Sequence, residues 1–594
     1  MDNKLEAMRH SCEHVLTMAM LRIWGDKVKA AMGPATEEGF YFDFDSDIKI
    51  SENDFVRIEE EMANIIKENL SIVKDEMTVK EAREFFNKNI YKGNEYKHEW
   101  LDLIEGRGEA VSVYWMGEKG GDIPDTFVDI CSGPHIESTG NVGAFKLLKI
   151  AGAYWHGDEK NKMLTRIYGT AFETQAELDE YLHQQEEAEK RDHRKLGAEL
   201  DLFVFSDIIG KGLPLLTPKG TVIRKELEKF VYEEETKRGY QHVVTPPLAK
   251  VELYKTSGHY PYYKDTMYPI MKVDDDELIL RPMTCPHHFM LYKSRPRSYR
   301  ELPLRLAEIS PQFRYEKSGE LTGLMRVRMF CLADAHIMVM PDQAKSEIKG
   351  VLDLIDYANE IFGLKKGVDY RYRLSLGNRS EEKKYYKDDA AWDKAEDVLR
   401  SVLKELDAPY YEAEGEAAFY GPKIDIQMKK VSGQEETAFT VQYDFVMPKR
   451  FEMRYIDKDG QEKEPVVIHR SSIGAFERTM AFLIERFAGA FPVWLSPVQV
   501  MFAPVSEKHN EGAYKFVEEF RAQGMRTEID DSNETLGNKV RKAVAQKIPY
   551  IVVVGDKEIA GEDWMIRIRG QEKQEKMTKE EFMGRILEET KDRR

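Results

Sequence analysis

Apolar positions recur at helical spacing across residues 5–23, which predicts a helix near the start of the chain. Phe40, Phe42 and Phe44 then alternate with Tyr41, Asp43 and Asp45. That two-residue period predicts a strand with one apolar face. Residues 51–68 predict a charged helix. Residues 173–200 are rich in Glu, Lys, Arg and Gln and hold no Gly or Pro until Gly197, the composition of a solvated linker helix. A turn-rich entry, Gly212 to Gly220, leads into an amphipathic pattern over 221–238 that Gly239 is placed to end. Residues 240–244 read as a strand and run into Pro246-Pro247, which fits an edge. Strands and helices then mix irregularly as far as Gly489. Without regular βα alternation, this predicts an antiparallel sheet with flanking helices. Residues 498–502 and 550–554 are short apolar runs like buried parallel strands, with helical stretches at 511–523 and 536–547 between them. This last part reads as a small α/β domain.

These breaks predict a multidomain α+β chain: an α+β domain over 1–172, a linker helix over 173–200, a central domain over 201–496 and a terminal α/β domain over 497–594. The length of 594 residues allows about three or four domains. The formal charge of -18 argues against unspecific coating of nucleic acid, although local basic patches can still meet RNA. No apolar run is long enough to cross a bilayer and the start has no signal-peptide pattern, so we expect a cytoplasmic protein. Four cysteines, Cys12, Cys131, Cys285 and Cys331, suggest reduced thiols rather than a disulfide framework.

Three residues far apart in sequence carry metal-ligand chemistry. Cys285 lies in Arg281-Pro-Met-Thr-Cys-Pro286, His336 ends Phe330-Cys-Leu-Ala-Asp-Ala-His336, and His469 opens His469-Arg-Ser-Ser-Ile-Gly-Ala-Phe-Glu-Arg478. A thiolate and two imidazoles suit zinc, and three protein ligands leave one position for substrate. Between the first two lies a candidate hairpin. Arg314 and Glu316 face one side of the outgoing strand, and Arg326 and Arg328 share a face on the return. Arginine forks hold phosphate or carboxylate, and Phe330 offers a flat face for a nucleobase. A hairpin with solvated charges fits the same residues. Arg478, at the start of a helix, can reach phosphates or be a surface charge. In the first domain, His10 and His14 share a helical face, and Cys131 and His135 flank a Gly-Pro loop. Four such residues can bind a metal or build a hydrolytic site.

Gly239 to Pro247, the Arg314-x-Glu316 loop and the Gly474-x-x-x-Arg478 helix resemble, in order, the three motifs of class II aminoacyl-tRNA synthetases. Arg281 to Pro286, Gly323 to Arg328, Asp334-Ala-His336, Tyr420 to Asp425, Thr440 to Asp444 and His469-Arg470 resemble the threonyl-tRNA synthetase family. The resemblance runs from about residue 8 to the C-terminus. It implies ATP-dependent activation of L-threonine, transfer to tRNA(Thr) and hydrolysis of mischarged seryl-tRNA(Thr), by a homodimer joined through the catalytic domain. It gives Arg314 the α-phosphate, Arg478 the γ-phosphate and Phe330 the adenine, with Glu316 and Arg326 beside the ATP and Mg2+ accompanying it. Cys285, His336 and His469 would hold one zinc per chain, and Asp334 would accept the threonine hydroxyl proton. The first domain resembles an editing domain whose site is His10, His14, Asp129, Cys131 and His135, which we expect to position water without a metal. The last domain resembles an anticodon-binding domain. There Glu558 and Arg567 fall where bases are read, and Lys539, Arg541 and Lys542 can meet phosphates or form a solvated charged helix.

The chain departs from the family pattern at three places. Thr284 replaces Asn, His287 replaces Gly, and Leu332 stands where a Gln would face the substrate. Many bacterial relatives also carry a small ubiquitin-like domain before the His-x-x-x-His helix. Here that helix begins within ten residues of Met1, so we expect the domain to be missing or removed.

Overall fold

The computed structural model describes residues 3–381 and 383–594. Two compact units divide the chain, residues 1–184 and 185–594. The first is built on the long helix Asn3–Trp24 and a four-stranded antiparallel sheet, ordered Val28–Met32, Phe40–Ser46, Met163–Phe172 and Ala144–Tyr154. Phe40, Phe42 and Phe44 are buried, as the alternation predicts. The other face of that strand is not simply solvated. Asp43 is buried against Arg166, with Nε at 2.6 Å from Oδ1. The helix expected from residue 51 begins at Phe55 after a single tight turn, and it buries Phe55, Ile58, Met62 and Ile65 along one stripe. A three-stranded sheet, Ile72–Met77, Val111–Met116 and Phe127–Ile130, completes the unit.

The predicted linker helix is two helices, Gln175–Lys190 and His193–Glu199. Asp192 divides them by capping the second, its side chain accepting from Arg194 N at 2.7 Å. His193, Leu196 and Gly197 are buried in the second unit. The charged composition of 173–200 therefore describes the first helix, and the second belongs to a core.

An eight-stranded sheet forms the heart of the second unit. Its order is Gln241–His242, Leu304–Phe313, Met329–Val339, Val466–Ala475, Glu435–Asp444, Lys423–Lys429, Tyr370–Leu376 and Tyr410–Glu414. The pairings are antiparallel except at the two edges, where the first pair and the last pair run parallel. The edge strand is shorter than the expected 240–244, and Val244 is 94% exposed. The helices Pro218–Lys237, Ala344–Ile361, Asp389–Glu405 and Phe476–Phe487 contribute the buried side chains of the main core. The C-terminal sheet, ordered Thr527–Ile529, Val500–Pro504, Tyr550–Val554, Trp564–Ile568 and Glu575–Met577, pairs its first three strands in parallel, as their apolar runs predict. Arg526 bonds Glu226 at 2.8 Å, and Arg593 bonds Glu233 at 2.8 Å and Glu234 at 2.7 Å. Both ends of the C-terminal domain are thus tied to the helix Pro218–Lys237.

That helix starts at the Thr217 cap with Pro218 in its first turn, and Gly239, at φ +80°, ends it. Gly220 sits where a Cβ would come within 1.9 Å of the Leu202 carbonyl oxygen. Alanine is favoured over glycine in helices by about 1 kcal/mol, while overpacking costs about 1–3 kcal/mol. A clash with backbone cannot be relieved by a rotamer, so the second effect wins. Gly220→Ala should lower the calorimetric melting temperature of the second unit. An unchanged or raised transition would show that the Leu202 segment yields freely.

Candidate functional site

The central sheet brings the predicted ligands together through its register. Leu306 pairs with His336, and His336 pairs with His469 on the next strand. Cross-strand partners share a face, so both imidazoles point the same way. Cys285 is the first residue of the helix Cys285–Lys293. Its sulfur and one nitrogen of each imidazole lie within 4.8 Å of one another, and all three residues are buried.

Both rings are held from behind. His469 Nε2 lies 2.7 Å from Asp444 Oδ2. His336 Nδ1 lies 2.9 Å from His288 Nδ1, and His288 Nε2 lies 3.2 Å from Glu308 Oε2. Glu308 also takes Arg281 at 2.9 Å and the Thr245 hydroxyl at 2.7 Å. One nitrogen of each ring is therefore fixed by a partner. Carboxylates behind imidazoles are the usual outer support of metal-binding histidines. Burial pushes the Cys285 thiol well up and the His336 imidazolium well down. A neutral imidazole is ready to bind, while the thiolate needs a cation beside it. The donor set and its outer support fit zinc. Sequence reasoning missed His288 and Glu308, which no local signal separates from other polar residues, and gave Asp444 no role although it ends the motif-like run Thr440 to Asp444.

Asp334 follows on the same face, opposite Glu308 on one side and Ser471 on the other. Phe330 opposes Gln312. The predicted hairpin differs in detail. Its strands are Leu304–Phe313 and Met329–Val339, so Arg314, Glu316, Arg326 and Arg328 lie in the connecting loop rather than on paired strands. The Arg314 guanidinium lies 5.1 Å from the centre of the Phe330 ring. Arg326 Nε is 3.8 Å from Glu316 Oε2. Arg478 projects from the helix Phe476–Phe487 and donates to the Met325 carbonyl at 3.2 Å and the Thr437 carbonyl at 3.1 Å. These contacts fix its direction while Arg314, Glu316, Arg326 and Phe330 gather around the same loop.

In the first unit His10, His14, Cys131 and His135 also meet, their ligand-type atoms within 4.8 Å of one another. Cys131 Sγ is 3.3 Å from His10 Nε2 and 3.2 Å from His135 Nε2. Ser11 Oγ bonds His135 Nδ1 at 3.0 Å. Asp129, on the strand Phe127–Ile130, makes a 2.5 Å ion pair with Lys97. Lys97 is only 2% exposed, and the sequence reading missed it because it lies in an ordinary charged helix. Burial lowers His135 to about 3, and burial raises the Cys131 thiol to about 12. A cavity of about 720 Å³ opens beside His135, lined also by Met8, Pro134, Ile136 and Asn141. Neutral imidazoles beside an open cavity can orient water by hydrogen bonds.

In the C-terminal domain Glu558 accepts from Gly555 N at 2.9 Å, and Arg567 is exposed on the strand Trp564–Ile568. Lys539 is not a surface phosphate contact. It is buried and donates to the Pro504 carbonyl at 3.2 Å. Lys542 is paired with Glu534 at 2.5 Å, and Arg541 is bonded to Asn538.

Family models match three parts of the chain. Residues 268–487 match the tRNA synthetase class II core domain (G, H, P, S and T). Residues 499–589 match the anticodon binding domain, and residues 111–168 match the threonyl and alanyl tRNA synthetase second additional domain. Sheet, helices and site define a class II aminoacyl-tRNA synthetase. The threonine–tRNA ligase of a Geobacillus species is 48% identical over 592 residues, covering 100% of this chain and 89% of the relative. That of Staphylococcus carnosus is 48% identical over 590 residues, covering 99% and 88%. The chain belongs to the threonine–tRNA ligase family. Among solved structures, the RNA binding domain of threonyl-tRNA synthetase from Cryptosporidium parvum is 34% identical with a TM-score of 0.63, covering 67% of this chain and 98% of that one. The putative threonyl-tRNA synthetase of Aeropyrum pernix is 28% identical with a TM-score of 0.61, covering 68% and 96%. Among the described residues no helix is long and apolar enough to cross a membrane.

The raised Cys131 thiol has a chemical consequence. A thiol at about 12 rather than its ordinary value of about 8.5 carries roughly a thousandfold less thiolate at pH 8. Alkylation of Cys131 by iodoacetamide at pH 8 should be at least about 100-fold slower in the native protein than in urea, and should speed up as the pH rises towards 10. Peptide mapping by mass spectrometry reads this directly. Equal rates in the two states would mean that the thiolate is stabilised.

Proposed function

We propose that residues 201–496 activate L-threonine with ATP and Mg2+ and transfer it to tRNA(Thr), that residues 1–172 hydrolyse seryl-tRNA(Thr), and that residues 497–594 bind the anticodon. Cys285, His336 and His469 would hold zinc. Their convergence on the sheet face that carries Asp334 is the observation that supports the reading most strongly. Held by these three residues, zinc would supply Lewis-acid affinity for a hydroxyl-bearing substrate, which an isosteric methyl does not meet. Threonine and valine are nearly isosteric, and shape alone rejects such a rival poorly. Asp334 accepts the hydroxyl proton and so favours a hydroxyl over a methyl. Phe330 stacks on the adenine. Arg314 meets the α-phosphate and Arg478 the γ-phosphate, with Glu316 and Arg326 fixing the loop between them. The threonine carboxylate attacks the α-phosphorus in line, forming the carboxyl–phosphate bond as the bond to pyrophosphate breaks. The arginines hold the charge that develops.

Serine has the same hydroxyl and lacks one methyl, a difference worth only about 1–3 kcal/mol. A second, hydrolytic site answers that limit. His10, His14, Cys131 and His135 position water at the cavity, and Lys97 holds Asp129 beside them. The ester of seryl-tRNA is cleaved to serine and free tRNA. Glu558 and Arg567 read anticodon bases. We propose a cytoplasmic homodimer joined through the catalytic domain.

ATP–pyrophosphate exchange with threonine, serine, valine and proline in parallel tests the reading. Threonine should lead, serine should follow, and valine and proline should fail. Preference for proline would overturn it. Cys285→Ala should lose both zinc, by metal analysis, and threonine activation. Undiminished zinc in that variant would remove the ligand assignment. His10→Ala with His14→Ala should leave threonine activation near normal while seryl-tRNA accumulates. Clearance of seryl-tRNA at the parental rate would place editing elsewhere.

A further inference from the structure

Gln312 lies at the end of the strand Leu304–Phe313, on the face shared by Glu308 and Ser310, and is only 1% exposed. Its Nε2 donates to Asp334 Oδ2 at 3.3 Å and to Thr284 Oγ1 at 3.1 Å. Thr284 in turn shares a hydrogen bond with Ser310. The Gln312 Oε1 is buried without a partner. A buried acceptor is costly unless a donor reaches it. Asp334 is one residue pair from the Cys285, His336 and His469 centre, and Thr284 immediately precedes Cys285. Diagonally across from Gln312 on the same face is Leu332, opposite Ser310, with no polar group to offer.

We infer that Gln312 is a positioning residue of the amino-acid pocket, whose amide aims the Asp334 carboxylate at the side-chain hydroxyl of the bound amino acid. The inference rests on the reading of Asp334 as the hydroxyl acceptor. An amide suits this task in a way a cation does not. It occupies one lone pair of Asp334 and fixes the plane of the carboxylate, yet leaves its charge unneutralised, so the other oxygen stays a strong acceptor. Thr284 and Ser310 anchor the amide from below. Leu332 leaves this face without an amide on its own strand, and Gln312 supplies one from the neighbouring strand.

Purified full-length Gln312→Met and Asp334→Asn would be compared with the parent for metal content, for threonine affinity by calorimetry, and for pyrophosphate exchange with threonine, serine and valine. Gln312→Met keeps length and loses the amide. Its kcat/KM for threonine and serine should fall roughly 10- to 100-fold, the worth of one hydrogen bond to a charged group. The loss should lie mainly in KM and be mirrored in the calorimetric Kd, while the value for valine, which has no hydroxyl, stays level or rises. Thr284→Val removes the amide's other anchor and should give a smaller loss of the same pattern, which covers the case of Gln312→Met failing to fold. A loss shared equally by all three amino acids, no loss at all, or loss of the metal would overturn the inference, because Gln312 would then be a packing residue or part of the metal scaffold. If Asp334→Asn leaves the threonine-to-valine ratio at its parental value, the reading of Asp334 fails and the inference falls with it. If Asp334→Asn collapses the ratio and Gln312→Met does not, the inference fails alone.

Discussion

The buried carboxylate of Glu308 is the constraint on which the central site depends. It lies inside the sheet, bonded at once to Arg281, Thr245 and His288, and through His288 it reaches His336. Burying a charge costs several kcal/mol, and removing one partner of a buried pair costs about 3–5 kcal/mol because the other charge is left stranded. The network is therefore complete or ruinous. Completeness fixes the ring of His336 in one orientation. Asp444 does the same for His469 from another strand. Two rings held by two carboxylates leave little freedom for the centre they share with Cys285, and the hydroxyl selection proposed for that centre would need such rigidity.

The residues most exposed to view in the sequence were those whose chemistry is scarce. Thiol and imidazole are rare side chains, so Cys285, His336 and His469 stood out, and so did His10, His14, Cys131 and His135. The structure gathers each set. Glu308, Lys97 and Gln312 did not stand out. Each is a common residue type, and what makes it notable is a cross-strand or interhelical neighbour that no local pattern encodes. The same reason explains the errors of range. The two-residue period that put Arg314 and Glu316 on a strand stops at Phe313, where the chain turns into a loop. Residues 193–199 carry the charged composition of a linker, yet His193 reaches Glu485 at 2.7 Å and the backbone of Leu324 at 3.1 Å. Composition registered the charges and missed the contacts. Lys539 misled in the same way, since a lysine on an amphipathic helix is ordinarily solvated and this one is aimed at a buried carbonyl.

Fold-class reading succeeded for a complementary reason. Burial on one face or on both imposes a period, and period survives in sequence even where register does not. The apolar runs at 498–502 and 550–554 have no polar alternation because both faces of their strands are covered, and they pair in parallel. Phe40, Phe42 and Phe44 alternate because only one face packs on the core of the first unit. Asp43 breaks the rule on the other face, but only because Arg166 neutralises it.

Of the three departures read from the sequence, Thr284 and Leu332 fall in one layer of the site, while His287 packs against Tyr254 outside it. Thr284 and Leu332 are not ligands, and neither touches the carboxylates that hold the ligand rings. They lie instead around Asp334, where Gln312, Thr284 and Ser310 form a polar cluster of their own. The demand placed on that layer is geometric. It must present a carboxylate at a set angle and must not neutralise it. Any buried amide on the shared face of two neighbouring strands can do so, because cross-strand and diagonal positions lie within about 5–8 Å of each other. The residues proposed to hold zinc would have no such freedom, since bond lengths and coordination angles fix each donor atom. On the proposed reading the Asp334 layer can be built from different residues, whereas one residue pair away His336 and His469 could not be exchanged.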